Sequence, residues 1–380
     1  MSYQKIVPIA NQILKKYDLC DHCLGRLFSK QLHLSSNRLL GKKLKKKSKS
    51  TQRCYICKNL FDNLDYFLNM MLDAVNLYSY SSFSVGAIIK PSIIDRDDIV
   101  RSKYKLKGID GIKTDLTKEL AKLFSKKTKK TFAYLDPELV FTVNLKNESC
   151  DVRSKSLTLS GRYVKSIRNF SQKQKSCSNC SGKGCRICDF HGITEYDSIE
   201  GEISQFLFKK FGGTTVKFTW IGGEDKSSLI LGTGRPFFVK IQNPHKRNLK
   251  KSSAKLDHIQ ISNIKIVSDF PKKPLKFNSL VEAKIYTSSK IDSKLLQKLK
   301  NLTKKPITVY EKSGKRSEKK ILSIKYKKHD DTFFTIFFRF EGGLPVKRFV
   351  TGDDVSPGIS QTLGVSCKCA EFDFHDVEIK

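Results

Sequence analysis

Apolar side chains recur at helical spacing in two N-terminal stretches. Ile6, Ile9, Ala10, Ile13, Leu14 and Tyr17 predict a helix over residues 3–17, with Pro8 tolerated only near its first turn. Leu60, Leu64, Phe67, Leu68, Met71, Leu72 and Val75 predict a second, strongly amphipathic one. Between them the run KKLKKKSKST, residues 42–51, has one apolar position and reads as a solvated loop or arm. Phe83, Val85, Ala87 and Ile89 then alternate as a half-buried strand does. Leu116, Leu120, Leu123 and Phe124 stripe a helix, and Leu139, Phe141, Val143 and Leu145 alternate again after the turn signal Asp136-Pro137. Lys126, Lys127, Lys129 and Lys130 lie between that helix and the last strand, so the segment reads as a small α+β module with a basic edge.

From about residue 155 the pattern changes. SLTLSGRYVK, KFTWI, PFFVKIQ, VEAKIYT, KPITVYEK, KILSIKYK, TFFTIFFRF and CAEFDFHDVEI each read as strands, with helices expected at 198–211 and 291–301. Many strands in succession with few helices predict a mainly antiparallel α+β domain.

The chain has 380 residues, room for two or three domains, and its 25 Phe supply real cores. Lys and Arg number 72 against 37 Asp and Glu, a formal net charge of +35. An excess so widely spread draws polyanions, above all nucleic acid; a general adaptation for solubility is the plainer alternative. No stretch of eighteen apolar residues exists, and residues 1–17 lack the apolar segment of a secretory signal. The expected compartment is therefore the reducing cytoplasm, without membrane attachment, where the 11 Cys are better metal ligands than disulfides.

Cys20-x2-Cys23 and Cys54-x2-Cys57 are two knuckles about thirty residues apart, and together they predict one tetrahedral four-thiolate zinc site. Two unrelated pairs of small core residues are the alternative. CSNCSGKGCRIC places Cys177, Cys180, Cys185 and Cys188 within twelve residues, with Gly182 and Gly184 allowing a tight bend. This group predicts a second structural zinc, with an iron–sulfur cluster as its main rival. A closed four-thiolate site leaves no position for water, so both are expected to be structural. Cys150, Cys367 and Cys369 read as ordinary small residues.

The most unusual stretch is FTWIGGEDKSSLILGTGRPFFVKIQNPHKR, residues 218–247. Glu224 and Asp225 sit in a Gly-rich turn at the end of an apolar strand, with Arg235, His245, Lys246 and Arg247 beyond. A carboxylate at a strand end can face a cleft, and nearby cations keep it ionised, as a nucleophile must be. The plain alternative is a turn and nothing more.

Residues 131–247 and 278–379 resemble the archaeal-type tRNA pseudouridine synthase family numbered ten. CDHCLGR resembles its opening knuckle, and YLDPELVFTVNL with SGRYVKSIRNFSQ the end of its THUMP region and the segment beyond. GGEDKSSLILGTGRPFFVKIQNPHKR resembles its catalytic segment, with GTGRPF the most specific part. VEAKIYTSS, EGGLPVKRFVTGDD and ISQTLGVSCKCAEFDFHDVEI follow in family order. The resemblance implies a four-cysteine zinc module with helices over residues 1–80, a THUMP-type RNA-binding domain over 81–150, and a pseudouridine synthase domain over 151–380.

It also implies an isomerase that converts uridine to pseudouridine at positions 54 and 55 of the TΨC arm of tRNA. The family's nucleophilic Asp falls on Asp225, its substrate-base Tyr on Tyr286, and a basic residue contacting the Asp on Lys347; Arg235 is expected at the substrate. The uracil would be extruded from the folded arm to reach Asp225 and stack on Tyr286. Lys42 to Lys49 and Lys126 to Lys130 are candidate phosphate contacts, and the N-terminal module would hold the tRNA at a distance from the active site. No organic cofactor and no obligate protein partner are expected. Where the family has Arg two residues before the Asp, this chain has Gly223; a second Asp and an Arg are replaced by Ser227 and Leu229, and a second Tyr by Pro345. These departures bear on rate and on which position is modified. They are what a catalytically degenerate tRNA-binding protein of the same fold would show. A ribosome-associated zinc protein would not carry GTGRPF, and a THUMP-containing methyltransferase or thiolase would carry a glycine-rich or phosphate-binding loop that the sequence lacks.

Overall fold

In the N-terminal half, Ile6, Ala10 and Ile13 lie on one buried stripe of helix α1 (Tyr3–Lys16). The computed structural model describes residues 3–29, 32, 36–45, 53–106, 110–271, 273–311 and 314–380. Helices α2 (Asp21–Ser29) and α3 (Asn37–Lys45) follow, then a 3-10 turn (Leu60–Asn63) running into α4 (Leu64–Ala74). Strand β1 (Ser82–Ile88), α5 (Pro91–Lys103), α6 (Ile112–Thr128), β2 (Thr131–Phe132), β3 (Leu139–Asn144) and β4 (Ser149–Ser154) complete residues 1–155, one of two compact units. Their sheet has the order β2-β1-β3-β4, with β1 parallel to both neighbours and β3–β4 an antiparallel hairpin.

One core runs from Ile6 to Leu145, so the cysteine module and the α+β module expected as separate domains are packed together. At its centre Phe124 meets Phe83 and Phe141 edge-on, with ring centres 4.8 Å apart in both pairs. The basic run placed in a loop begins in helix: Lys42, Lys43 and Lys45 belong to α3, because Leu40 and Leu44 supply a buried face. Residues 46–51 of that run lie outside the described residues. Helices α2 and α5 were not anticipated. The inward face of α2 includes Cys23, Gly25 and Arg26, which mask its stripe. A Cβ on Gly25 would come within 1.8 Å of the carbonyl of Asn37, so glycine there sets the close approach of α2 and α3. Arg26, 1% exposed, is clamped by Asp97 of α5 and donates to the carbonyl of Asp110 at 2.9 Å.

The second unit, residues 156–380, is built on a nine-stranded sheet. Its elements in order are β5 (Leu157–Lys165), α7 (Ile199–Phe211), β6 (Val216–Trp220), β7 (Ile230–Ile241), β8 (Ala254–Lys255), β9 (Ile259–Ile266) and β10 (Phe277–Thr287). After them come α8 (Ser293–Gln297), β11 (Ile307–Tyr310), β12 (Arg316–Lys319), β13 (Ile321–Lys328), β14 (Phe333–Glu341), α9 (Val346–Thr351), β15 (Val355–Ser356), α10 (Ile359–Leu363) and β16 (Cys367–Ile379). The path β13-β14-β10-β16-β7-β5-β9-β8 is antiparallel throughout except at β16–β7, which touch in parallel at the single pair Phe374–Ile230; β6 also pairs with β7. Two antiparallel halves therefore meet at one narrow junction, and the Glu224-Asp225 turn leads into β7 beside it. The fold is α+β, with a mainly antiparallel sheet in its second unit. Among the described residues no helix is long and apolar enough to cross a membrane.

Candidate active site

The turn from Ile221 to Leu229, between β6 and β7, is fixed from below by buried charge. Glu224 has a fully buried side chain, with Oε1 2.9 Å from the Lys165 ammonium and off the ideal hydrogen-bond angle. Its Oε2 accepts from the Tyr163 hydroxyl at 2.6 Å and lies 3.6 Å from Arg235 Nε. Burial, reinforced by Glu224, pushes the Tyr163 hydroxyl well above its ordinary pKa, so it stays a neutral donor. Arg235 also donates to the carbonyl of Ile221 at 2.9 Å and stacks 4.3 Å from the ring centre of Phe374. Lys165 donates to the carbonyl of Lys226, and Arg168 to that of Ser227 at 2.7 Å. Asp373, held by Arg168 through two 2.8 Å bonds, accepts from the Leu229 amide.

With its neighbours pinned, Asp225 projects outward, its side chain 32% exposed. Oδ1 accepts from the Ser227 amide at 2.9 Å and hydroxyl at 2.7 Å, a local turn closed by a carboxylate. Oδ2 accepts from the Lys347 ammonium at 2.7 Å. Partial burial alone would raise the pKa of Asp225. The bonds from Lys347 and Ser227 together outweigh it and hold the carboxyl at about 2, so it is ionised at neutral pH. Beside the pair, burial chiefly pushes the Cys369 thiol up to about 11.

Asp225 and Lys347 are thus brought together. Lys347 stands in the first turn of α9, and Pro345 occupies the position just before that helix. Tyr286 is placed elsewhere, a correction to the expected site. On β10, Val281, Ala283 and Ile285 are buried, so Glu282, Lys284 and Tyr286 emerge from the opposite face. Lys347 lies 5.9 Å from the ring centre of Phe372, which pairs with Ala283 and shares its face. Tyr286 therefore leaves the sheet on the side away from Lys347. Arg235, expected to touch substrate, is 1% exposed and lies under the turn instead, drawn there by Glu224. Among the described residues nothing stands within 4 Å of a Cβ built at Gly223. Sequence reasoning missed Tyr163, Lys165, Arg168, Ser227 and Asp373. Only Ser227 had a local signal, a hydroxyl two residues after an Asp.

Each cysteine group converges. The four sulfurs of Cys20, Cys23, Cys54 and Cys57 lie within 4.8 Å of one another, as do those of Cys177, Cys180, Cys185 and Cys188. Sulfur–sulfur contacts include 3.6 Å for Cys20–Cys57, 3.8 Å for Cys180–Cys188 and 3.7 Å for Cys185–Cys188. Four thiolates about 2.3 Å from a central zinc form a tetrahedron with edges of about 3.8 Å. Backbone amides of Cys23, Gly184, Cys185 and Gly192 point at these sulfurs from 3.2–3.4 Å, as thiolate ligands require. Both groups can therefore hold a metal ion and are compatible with zinc. In the first unit a concavity of about 840 Å³ is lined by Lys118, Lys122, Lys126, Lys129 and Lys130, with Tyr134 beside them.

Comparison with known proteins agrees with this architecture. The model of a family described as "Pus10, C-terminal" matches residues 158–378, and one described as "Pus10 THUMP domain, archaeal" matches residues 67–144. The latter begins within α4, ahead of the expected boundary at residue 80. The chain is 83% identical over 379 residues to a tRNA pseudouridine synthase Pus10 from Nitrosopumilus maritimus (strain SCM1), with 100% of each chain covered. It is 33% identical over 368 residues to the protein of the same name from Cenarchaeum symbiosum (strain A), covering 96% of this chain and 90% of that one. The chain belongs to the Pus10 family of tRNA pseudouridine synthases.

Proposed function

We propose that this protein isomerises uridine to pseudouridine in tRNA, at positions 54 and 55 of the TΨC arm, with Asp225 as the nucleophile. The observation that carries the reading is the Asp225 carboxylate, held ionised by Lys347 at 2.7 Å and presented by a turn that Lys165, Arg168 and Arg235 hold from beneath. The target uridine is extruded from its stack to reach the carboxylate. Asp225 attacks the nucleoside and the N1–C1′ bond breaks. The uracil turns, C5 bonds to C1′, the proton on C5 leaves, N1 gains one, and Asp225 is released. No oxidation state changes and no group is transferred to a second molecule, so the chemistry asks for no organic cofactor. Lys347 orients the carboxylate, and Glu224 with Lys165 and Arg235 positions the turn.

Two zinc ions would be held by the two four-cysteine groups. Zinc would staple each loop, and with four thiolates in place it leaves no position for a reacting water. Lys118 to Lys130 of the first unit are positioned to meet the phosphates of folded RNA, and the charge of +35 supports such contacts.

The test is to incubate the protein and its Asp225→Asn variant with an unmodified tRNA transcript and map pseudouridine by carbodiimide labelling. Product at one or both TΨC-arm positions for the parent and none for the variant is expected. Product from the variant removes Asp225 from its role; none from either turns the reading to a tRNA-binding protein that has lost catalysis.

A further inference from the structure

The open face of the β13-β14-β10-β16 sheet carries an aromatic ladder that the Asp225 site does not use. The ring of Phe333 is sandwiched between Tyr286, with centres 4.7 Å apart, and His329, 4.9 Å away, both inclined by 26°. His329 is fixed by a 2.9 Å contact to Thr335. Tyr286 is 52% exposed and His329 is also exposed. Cross-strand aromatic pairs stabilise a sheet whether or not they are buried, so exposure alone assigns these rings nothing further. What sets this ladder apart is that all three rings border a concavity of about 770 Å³ shared with Lys284 and Lys327.

The charges around it are unbalanced. The carboxylates of this face already have partners: Glu282 contacts the His375 ring at 2.8 Å, and Glu371 pairs with Lys284, Asp373 with Arg168, and Asp376 and Glu378 with Arg339. Lys327 pairs with Thr335, Lys325 with Phe337, and Lys368 with Tyr286, so all three share the face of the ladder, and all are exposed. No carboxylate among the described residues pairs with any of the three. Exposed π-faces beside surplus cations are what a nucleic-acid strand with unstacked bases needs, the rings for its bases and the ammonium groups for its phosphates.

We propose that this face binds an unpaired segment of RNA, one base of which extends the Tyr286–Phe333–His329 stack while Lys325, Lys327 and Lys368 meet the neighbouring phosphates. It is a second contact with RNA, on the face of the sheet turned away from Lys347. That the ligand is RNA rests on reading the chain as an RNA-modifying enzyme; the ladder and its charges do not.

The experiment uses the full-length protein and a fluorescein-labelled single-stranded RNA of about ten nucleotides, with its duplex as comparison. Tyr286→Ala is expected to weaken single-strand binding by about 5- to 150-fold, and Tyr286→Trp to preserve it. Duplex affinity should fall far less. A 5-iodouridine probe should photocrosslink to Tyr286 or His329. Equal binding by Tyr286→Ala and parent, an equal loss for single strand and duplex, or a crosslink mapped only elsewhere would overturn the proposal. Pseudouridine formation by the parent is scored separately. Its absence alongside Tyr286-dependent binding removes the proposed reaction and leaves the ladder site; its presence without such binding does the reverse.

Discussion

Lys347 and Asp225 are 122 residues apart in the chain and 2.7 Å apart in the fold. The contact joins the turn before β7 to the first turn of α9, across the junction where the two halves of the sheet meet. It ties the lowered pKa of Asp225 to tertiary structure, since the bond from Lys347 is the largest of the contributions that lower it.

If Asp225 is the nucleophile proposed above, Lys347→Ala should lower the rate at neutral pH by about 100-fold, because a carboxylate freed to rotate spends little time aligned. The sign of the pH effect follows from the same bond. The Asp225 carboxyl lies at about 2, below its ordinary 3.8, so its contribution to folding is present above 3.8 and fades as pH falls toward 2. Without Lys347 burial acts unopposed by its largest counterweight, and the acid limb of the pH–rate profile should move toward neutrality. An unshifted limb and an unchanged rate would remove Lys347 from the site.

Glu224→Gln should destabilise the second unit by about 3–5 kcal/mol, because it leaves the buried cations Lys165 and Arg235 without their carboxylate. Asp225→Asn, at a partly exposed position, should change stability by less than about 1 kcal/mol. Urea unfolding of the two variants, followed by the fluorescence of Trp220 in β6, separates the brace from the reacting group.

Metal analysis should find two zinc ions per chain, one for each converging group. Cys54→Ser and Cys185→Ser should each lose one, and a strong chelator should lower the melting temperature. Iron with visible absorption at residues 177–188 would give that site to a cluster instead.

Gly223→Arg introduces the side chain that the resemblance implies at this point, and among the described residues nothing stands within 4 Å of the added Cβ. A cation beside Asp225 should raise the rate of pseudouridine formation by about tenfold. A drop would mean that the chain has adapted its site to glycine.

Much of the fold was written in local pattern. The buried stripe of α1 and the alternation of β1, β3 and β10 are periods of 3.6 and 2 that any reader of the sequence can count. Helix α5 escaped because Ile93, Ile94, Ile99 and Val100 are scattered around its circumference, and burial of Ile93 and Val100 is decided by neighbours. The turn at residues 221–229 was legible as unusual. That Glu224 points in and Asp225 out was not, because Tyr163, Lys165 and Arg235 reach it from β5 and β7. The face of Tyr286 was legible: VEAKIYT alternates Val281, Ala283 and Ile285 with Glu282, Lys284 and Tyr286, which already sets the tyrosine among the polar positions.

Forming pseudouridine replaces the hydrogen on C5 of uracil with the bond to ribose, so tRNA carrying tritium at C5 of uridine releases it to water as the reaction proceeds. Single-turnover release by the parent and by Asp225→Asn, both folded by the urea criterion above, tests the nucleophile most directly. The carboxylate account predicts stoichiometric release by the parent and none above background by the variant; release by the variant at the parent's rate would contradict it.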